Sequence, residues 1–125
     1  MYAATFNKSD RLKSAKKIKQ IFETGDGFIE FPFRVVWKWT EAKEFSVQIA
    51  ISVPKKKIPK AVNRNRIKRL VRESYRRRSV EFKKNIAHRN NHLELIFVFM
   101  DTQLLNFNEI DHKITVTLER LEKML

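Results

Sequence analysis

The sequence is poor in several features, and each shortage excludes a class of protein. It contains no cysteine, which excludes disulfides and thiolate chemistry and is compatible with a reducing cytoplasm. Two glycines are too few for a glycine-rich phosphate loop. The longest apolar run, Leu95 to Met100, is far shorter than the roughly 20 residues of a membrane span. Because the Lys-rich start also lacks a signal-peptide core, we expect a cytoplasmic protein of one domain.

Acidic residues are the other scarce class. The 125 residues include 14 Asp and Glu against 27 Lys and Arg, which gives a formal net charge of +13. Such an excess of one sign costs self-repulsion that a bound polyanion relieves. Nucleic acid is the first candidate for this polyanion, and an anionic membrane surface is the second.

Residue periodicity predicts a first helix that follows a basic arm at residues 1–13. Ser14 is a suitable N-cap, and apolar residues recur at helical spacing from Ala15 to Phe22. Gly25 is expected to end the helix, because glycine adopts the left-handed conformation at a helix end without strain.

Alternating residues predict the strands of a small sheet. From Ile29 to Thr40 every second residue is large and apolar, which predicts one strand with Pro32 at an edge or a bulge. Thr40 to Glu44 is interpreted as a hairpin turn into an antiparallel strand from Phe45 to Val53. The nearly continuous apolar run Leu93 to Met100 is typical of a strand covered on both faces.

Two further helices complete the expected domain, residues 14–125. A long helix is predicted at about Ala61 to Ile86, with Tyr75 and Phe82 on its buried face. A last helix is predicted at about Phe107 to Leu125. The order is helix, two or three antiparallel strands, long helix, strand and helix, which defines an α+β two-layer sandwich.

Residues 55–78 carry the strongest functional signal, because Glu73 is the only acid among many cations. Like charges four residues apart on a helix repel each other, and arginine binds phosphate oxygens through two parallel hydrogen bonds. A helical stripe opposite the apolar face consists of Asn65, Arg69, Arg72 and Arg76. This stripe predicts a nucleic-acid interface.

The segment Ser52 to Tyr75, SVPKKKIPKAVNRNRIKRLVRESY, closely resembles the signature of the bacterial ribonuclease P protein family. In that signature a Lys-rich loop precedes Ala-Val-x-Arg-Asn-Arg-x-Lys-Arg on a helix. The matching residues are Ala61, Val62, Arg64, Asn65, Arg66, Lys68 and Arg69, continued by Arg72. The opening residues Phe6, Arg11, Leu12, Ile18, Phe22 and Gly25 also resemble the first helix of the family. Pro59 stands where the family usually has glycine, which leaves the path of the Lys55–Lys60 loop open.

The resemblance implies an accessory subunit of a ribonucleoprotein that removes the 5′ leader of precursor tRNA endonucleolytically. It implies that catalysis comes from the RNA with divalent metal ions such as Mg²⁺, and that one protein binds each RNA. Contacts to the catalytic RNA are expected from Arg64, Asn65, Arg66, Lys68, Arg69, Arg72 and, through the stripe, Arg76. A leader-binding cleft between the first helix and the sheet is expected to involve Ile18, Phe22, Phe31 or Phe33, and Lys55 or Lys56. The family fold further implies a mixed sheet with a left-handed βαβ crossover.

No catalytic residues of the protein itself are visible in the sequence. His88 and His92 are spaced like a ligand pair but lack a third ligand, so we expect no metal site and no small-molecule substrate. Two alternatives remain: a structural RNA binder of the ribosomal-protein kind, and a membrane-surface or calmodulin-like target helix.

Overall fold

The computed structural model describes residues 8–87 and 91–125, and within these ranges the chain forms three α-helices and a four-stranded sheet. A 3₁₀ turn at Lys8–Asp10 precedes the elements α1 (Ala15–Thr24), β1 (Asp26–Glu30), β2 (Phe33–Glu41), β3 (Ser46–Ser52), α2 (Ala61–Ile86), β4 (Asn91–Phe99) and α3 (Phe107–Met124). The predicted α+β class and the order of elements are confirmed, and the bounds of α2 agree with the prediction at both ends.

The sheet is mixed, with the strand order β1-β2-β4-β3. β1 pairs antiparallel with β2 and β2 with β4, whereas β3 runs parallel to β4, so that α2 is the crossover between two parallel strands. The predicted hairpin at Thr40 to Glu44 is therefore wrong, because β4 lies between β2 and β3. As the most continuously apolar strand, β4 occupies the central position where both faces are covered.

The single strand predicted from Ile29 to Thr40 is also wrong. The chain turns at Phe31–Pro32, and β1 and β2 form a hairpin on either side of this turn. Large residues alternate through the turn as they do in a strand, so periodicity alone does not detect the reversal. The consequence is that Ile29 lies on the opposite face of the sheet from Phe33 and is 56% exposed.

Each face of the sheet carries its own hydrophobic cluster. The larger cluster lies between the sheet and the helices α2 and α3, and includes Phe33, Tyr75 and Phe97. A smaller cluster joins α1 to the other face, through Leu12, Ile21, Val36 and Ile96. α1 thus rests on a narrow apolar strip, and much of the sheet face beside it is left for other contacts.

Both ends of α1 are held by local contacts. The Ser14 side chain accepts a hydrogen bond from the Lys17 amide at 3.3 Å, as expected for an N-cap. Gly25 does end the helix, but in the extended conformation (φ −80°, ψ 167°) and not in the predicted left-handed one. Glycine is required there for space, because a Cβ atom would lie 2.5 Å from the Trp37 carbonyl oxygen.

The predicted arm, residues 1–13, falls within the described residues only from residue 8 onward. There, the Leu12 amide donates to the Ile49 carbonyl at 2.8 Å, and the Leu12 side chain is buried. Residues 8–12 therefore belong to the folded domain. No helix in the described parts of the chain has the length and apolar character needed to cross a membrane.

Candidate RNA-binding site

Apart from Arg64, the cationic side chains on the first half of α2 have no side-chain hydrogen bond or ion pair in the described part of the chain. The N-terminus of the helix lacks a side-chain cap and has no acid in its first turn. Within residues 8–87 and 91–125, no side-chain hydrogen bond or ion pair is made by Asn65, Arg66, Lys68, Arg69 or Arg72. Burial and then the nearby Arg11 lower the pKa of Arg72, as is characteristic of crowded like charges. Free donors and uncompensated positive charge form a surface suited to phosphates.

Arg64 behaves differently from its neighbours on α2. Its Nη1 donates to the carbonyl oxygens of Ile58 and Pro59 at 3.0 and 2.6 Å. Ile58 is buried, and the amides of Lys57 and Ile58 both donate to the Pro54 carbonyl at 3.1 Å. Arg64 therefore braces the loop before α2, whose path this geometry defines, and the loop presents its lysines to solvent.

The stripe on α2 changes character at Glu73. Arg76 forms a two-pronged pair with this carboxylate, from Nε to Oε2 at 3.0 Å and from Nη2 to Oε1 at 2.6 Å. Arg77 adds a third contact at 3.3 Å. The hydrogen bond from Arg76 is the main cause that lowers the pKa of Glu73 to about 2. Of the predicted RNA contacts, Arg76 is thus already neutralised within the protein, which the spacing of the arginines did not reveal.

The sheet face beneath α1 is covered along one row of residues and largely open along the next. Val36 and Ile96, which are cross-strand partners, are buried under α1. The following row crosses all four strands and consists of Ile29, Arg34, Val98 and Ser52, which we name the open row. Ile29 and Arg34 are exposed, and the other two are half-buried.

The predicted leader-binding residues divide into two groups. Ile18 is half-buried and Phe22 is 38% exposed, both on α1 at the edge of the open row. Lys55 and Lys56 are exposed in the loop that follows β3, at the far end of that row. These four remain compatible with one groove.

The two predicted phenylalanines do not share that groove. Phe33 is wrong as a binding residue, because it is fully buried against Phe97 and Phe99 on the opposite face of the sheet. Phe31 is 55% exposed, but it lines a cavity together with Leu105 and the first turns of α3. Ile29 and Arg34, which the sequence prediction did not name, lie in the open row instead. Pro32 was the available signal in the sequence for the turn between β1 and β2, which places Ile29 and Arg34 side by side.

A polar cluster fixes the other end of α1 on the sheet. Glu94, only 4% exposed, lies 3.7 Å from Lys17 Nζ and 3.9 Å from His92 Nε2. His92 Nδ1 in turn lies 2.6 Å from Ser46 Oγ, and burial lowers the pKa of His92. His88, from which His92 is spaced like the second member of a ligand pair, lies outside the described residues. Among the residues that are described, no three His, Asp or Glu side chains come together as a metal site.

The fold and this surface define a small basic α+β protein with an uncompensated cationic helix face beside a half-covered sheet. The chain belongs to the ribonuclease P family, whose model matches residues 6–122. It is 32% identical over 121 residues to the ribonuclease P protein component of Porphyromonas gingivalis, with 94% of this chain and 88% of the relative covered. The ribonuclease P protein component of Geotalea uraniireducens is 30% identical over 118 residues, which cover 94% of this chain and 96% of the relative.

Solved structures share this fold. The RNase P protein of Staphylococcus aureus superposes with a TM-score of 0.65 at 24% identity, covering 91% of this chain and 96% of that one. The RNase P protein of Thermotoga maritima gives a TM-score of 0.67 at 24% identity, covering 88% and 96%.

Proposed function

We propose that this chain is the protein subunit of ribonuclease P, acting in the cytoplasm to assist endonucleolytic removal of the 5′ leader from precursor tRNA. The observation that carries the proposal is the run of cations on the first half of α2 for which the described residues provide no acid partner, within a chain of this family. One protein is proposed to bind one catalytic RNA. The proposed phosphate contacts are Arg66, Lys68, Arg69 and Arg72, and Asn65 on the same helix is a further proposed contact to the RNA.

The leader is proposed to lie along the open row, beside α1. Phe22 offers a ring for stacking of an unpaired base, and Lys55 and Lys56 offer charge where the row ends. Four strands about 4.8 Å apart make this row about 14 Å long, enough for a short stretch of single-stranded RNA.

Bond cleavage is assigned to the RNA and its bound Mg²⁺, which supplies Lewis-acid chemistry and an activated water. We propose no metal ligand among the residues of the protein. The part proposed for the protein is to bind, orient and neutralise the two RNAs.

The two alternative functions fit the geometry less well. A membrane-surface or calmodulin-like target helix needs a free apolar face, yet the apolar face of α2 is buried in the core through Ile67, Val71 and Tyr75. A ribosomal-type RNA binder would use the cations of α2 but has no need of the groove beside Phe22.

The decisive experiment is cleavage of precursor tRNA by ribonuclease P RNA at low Mg²⁺, with and without this protein. We expect the protein to restore cleavage, because its cations replace part of the metal that screens the phosphates. Failure to restore cleavage, with RNA binding intact, would favour the ribosomal-type alternative. Binding to anionic liposomes without affinity for RNA would favour the membrane alternative.

Phe22→Ala tests the groove. Because stacking of one base contributes about 1–3 kcal/mol, we expect the preference of the holoenzyme for precursor over mature tRNA to fall about 5- to 150-fold. Folding should persist, since the ring is partly exposed. Phe31→Ala is the matched control, an exposed ring beside α3 whose loss should leave the preference unchanged. The reverse result would place the leader on the α3 side of the molecule.

A further inference from the structure

Arg34 occupies a distinctive position on the sheet. It lies on β2 in the open row, with Ile29 of β1 and Val98 of β4 as its cross-strand partners. Its side chain is exposed on the face that carries α1, and its guanidinium carbon lies 5.6 Å from the centre of the Phe22 ring. A full positive charge thus stands over a row that is otherwise apolar or neutral.

Two other cations on this side of the sheet, Lys38 and Arg120, form hydrogen bonds within the protein. Lys38, two positions along the same face of β2, donates to Thr24 Oγ1 at 3.2 Å. Arg120, at the β1 edge, donates to the Ile29 carbonyl at 3.1 Å and to Glu30 at 3.3 Å. Among the residues that the structure describes, Arg34 makes no side-chain hydrogen bond or ion pair, and its guanidinium lies over the Phe22 ring.

The space in front of Arg34 is large enough for a nucleotide. Phe22, Gly27, Ile29, Arg34, Val36 and Arg120 are among the residues that line a wide open cavity of about 510 Å³ between α1, the β1–β2 hairpin and α3. Cavities that hold small organic ligands span about 300–1,000 Å³. An aromatic ring, an aliphatic floor and one free guanidinium are the elements that recognise a stacked base and its phosphate.

We propose that Arg34 binds a backbone phosphate of the single-stranded leader, next to a base that stacks on Phe22. The proposal rests on the function proposed above and adds a residue to which neither the α2 signature nor the predicted groove residues assigned a role. The planar fork of arginine donates two parallel hydrogen bonds to phosphate oxygens, whereas lysine offers a point charge. Arg34 therefore positions the leader through its backbone, with no preference for its sequence.

The test uses the holoenzyme reconstituted with its RNA, and compares precursor tRNA with mature tRNA over a range of salt concentrations. For Arg34→Gln we expect affinity for the precursor to fall about tenfold, and its log–log salt slope to fall by about 0.7 to 1. Affinity for mature tRNA should be unchanged. Arg34→Lys should restore the salt slope but only part of the affinity, since the charge returns without the planar fork.

Lys43→Gln is the control for loss of one charge. Lys43 is exposed in the connection after β2, and the strand between Arg34 and Glu41 spans about 23 Å at a rise of about 3.3 Å per residue. We expect this variant to bind both tRNAs as the wild type does.

Three outcomes overturn the assignment of Arg34. Arg34→Gln could lose affinity equally for precursor and mature tRNA, or Lys43→Gln could lose as much affinity for the precursor as Arg34→Gln does. The third is that Arg34→Gln keeps its affinity for the precursor while Phe22→Ala loses the preference for precursor over mature tRNA. In the last case the proposed function stands and Arg34 alone is misassigned. A wild-type holoenzyme without any preference for precursor tRNA would instead refute the leader groove itself.

Discussion

The two halves of α2 carry a similar density of positive charge but compensate it differently. From Ala61 to Arg72 the described residues provide no acid partner for the arginines and lysines that face solvent. Beyond Arg72, Arg76 and Arg77 pair with Glu73. Farther along, Arg78 pairs with Asp111 at 2.7 Å and Lys83 with Asp10 at 3.2 Å.

We propose that this contrast separates cations that bind RNA from cations that hold the fold together. Arg78 and Ser74 both donate to Asp111 and thereby join α2 to α3. Burial by itself would raise the pKa of the Asp111 carboxyl, but these hydrogen bonds outweigh that effect, so the pKa is lowered. The net charge of the chain could not have made this distinction. We call the half from Ala61 to Arg72 the binding half, because we propose that its cations contact RNA, and we call the half beyond it the paired half.

The largest expected effect is on the free energy of unfolding and comes from truncating Tyr75, a core residue of α2. Tyr75 is buried against Phe82 and Phe97, with ring centroids 6.2 Å away in each case. We expect Tyr75→Ala to lower the free energy of unfolding by about 3 kcal/mol, the cost of emptying an aromatic site in a core. Urea or thermal unfolding measures this change. Val80→Ala, on the exposed side of α2, should change it by less than about 0.5 kcal/mol.

A matched pair of arginines tests the contrast directly. Arg66→Ala, in the binding half, should weaken assembly with ribonuclease P RNA about tenfold and lower the log–log salt slope by about one. Arg77→Ala removes the same charge from the paired half, where the guanidinium meets Glu73 and the Phe107 ring at 4.9 Å. Its affinity for RNA should stay close to that of the wild type. Equal losses from both variants, measured by filter binding at moderate salt, would show that the halves do not differ.

The smallest expected effect is on affinity for RNA, when the acid of the paired half is removed so that this half resembles the binding half. Glu73→Gln removes the carboxylate with which Arg76 and Arg77 both pair, so affinity for RNA should rise by a few-fold at most, with a steeper salt dependence. Unchanged affinity in a titration at low salt would mean that released charge alone does not create a binding surface.

Glu73→Gln should also change how the free energy of unfolding depends on pH. The folded-state pKa of Glu73, about 2, lies below its value of about 4.3 in an unfolded chain. The pair with Arg76 therefore adds stability above about pH 4.3, and this stability is lost as pH falls toward 2. Unfolding measured across this window should show a slightly shallower loss for Glu73→Gln than for the wild type.

Local patterns predicted the helices better than the sheet. Ser14 and Gly25 mark the ends of α1, and the bounds of α2 were predictable, because helix periodicity and capping depend on residues within a few positions of each other. Strand pairing depends on distant residues, so neither the hairpin at Pro32 nor the insertion of β4 beside β2 could be read from alternation. The error at Phe33 followed from the first of these failures.

The sequence by itself determined the excess positive charge, the long helix with its Arg-Asn-Arg segment, and the family to which the chain belongs, since these depend on composition and on neighbours along the chain. Only the tertiary structure decided which cations are free and which residues line the open row. Arg78 meets an acid 33 residues away, and Arg34 shares its row with residues from three other strands. Coulombic pairing and burial act through space at distances of a few ångströms, and only the folded chain sets those distances.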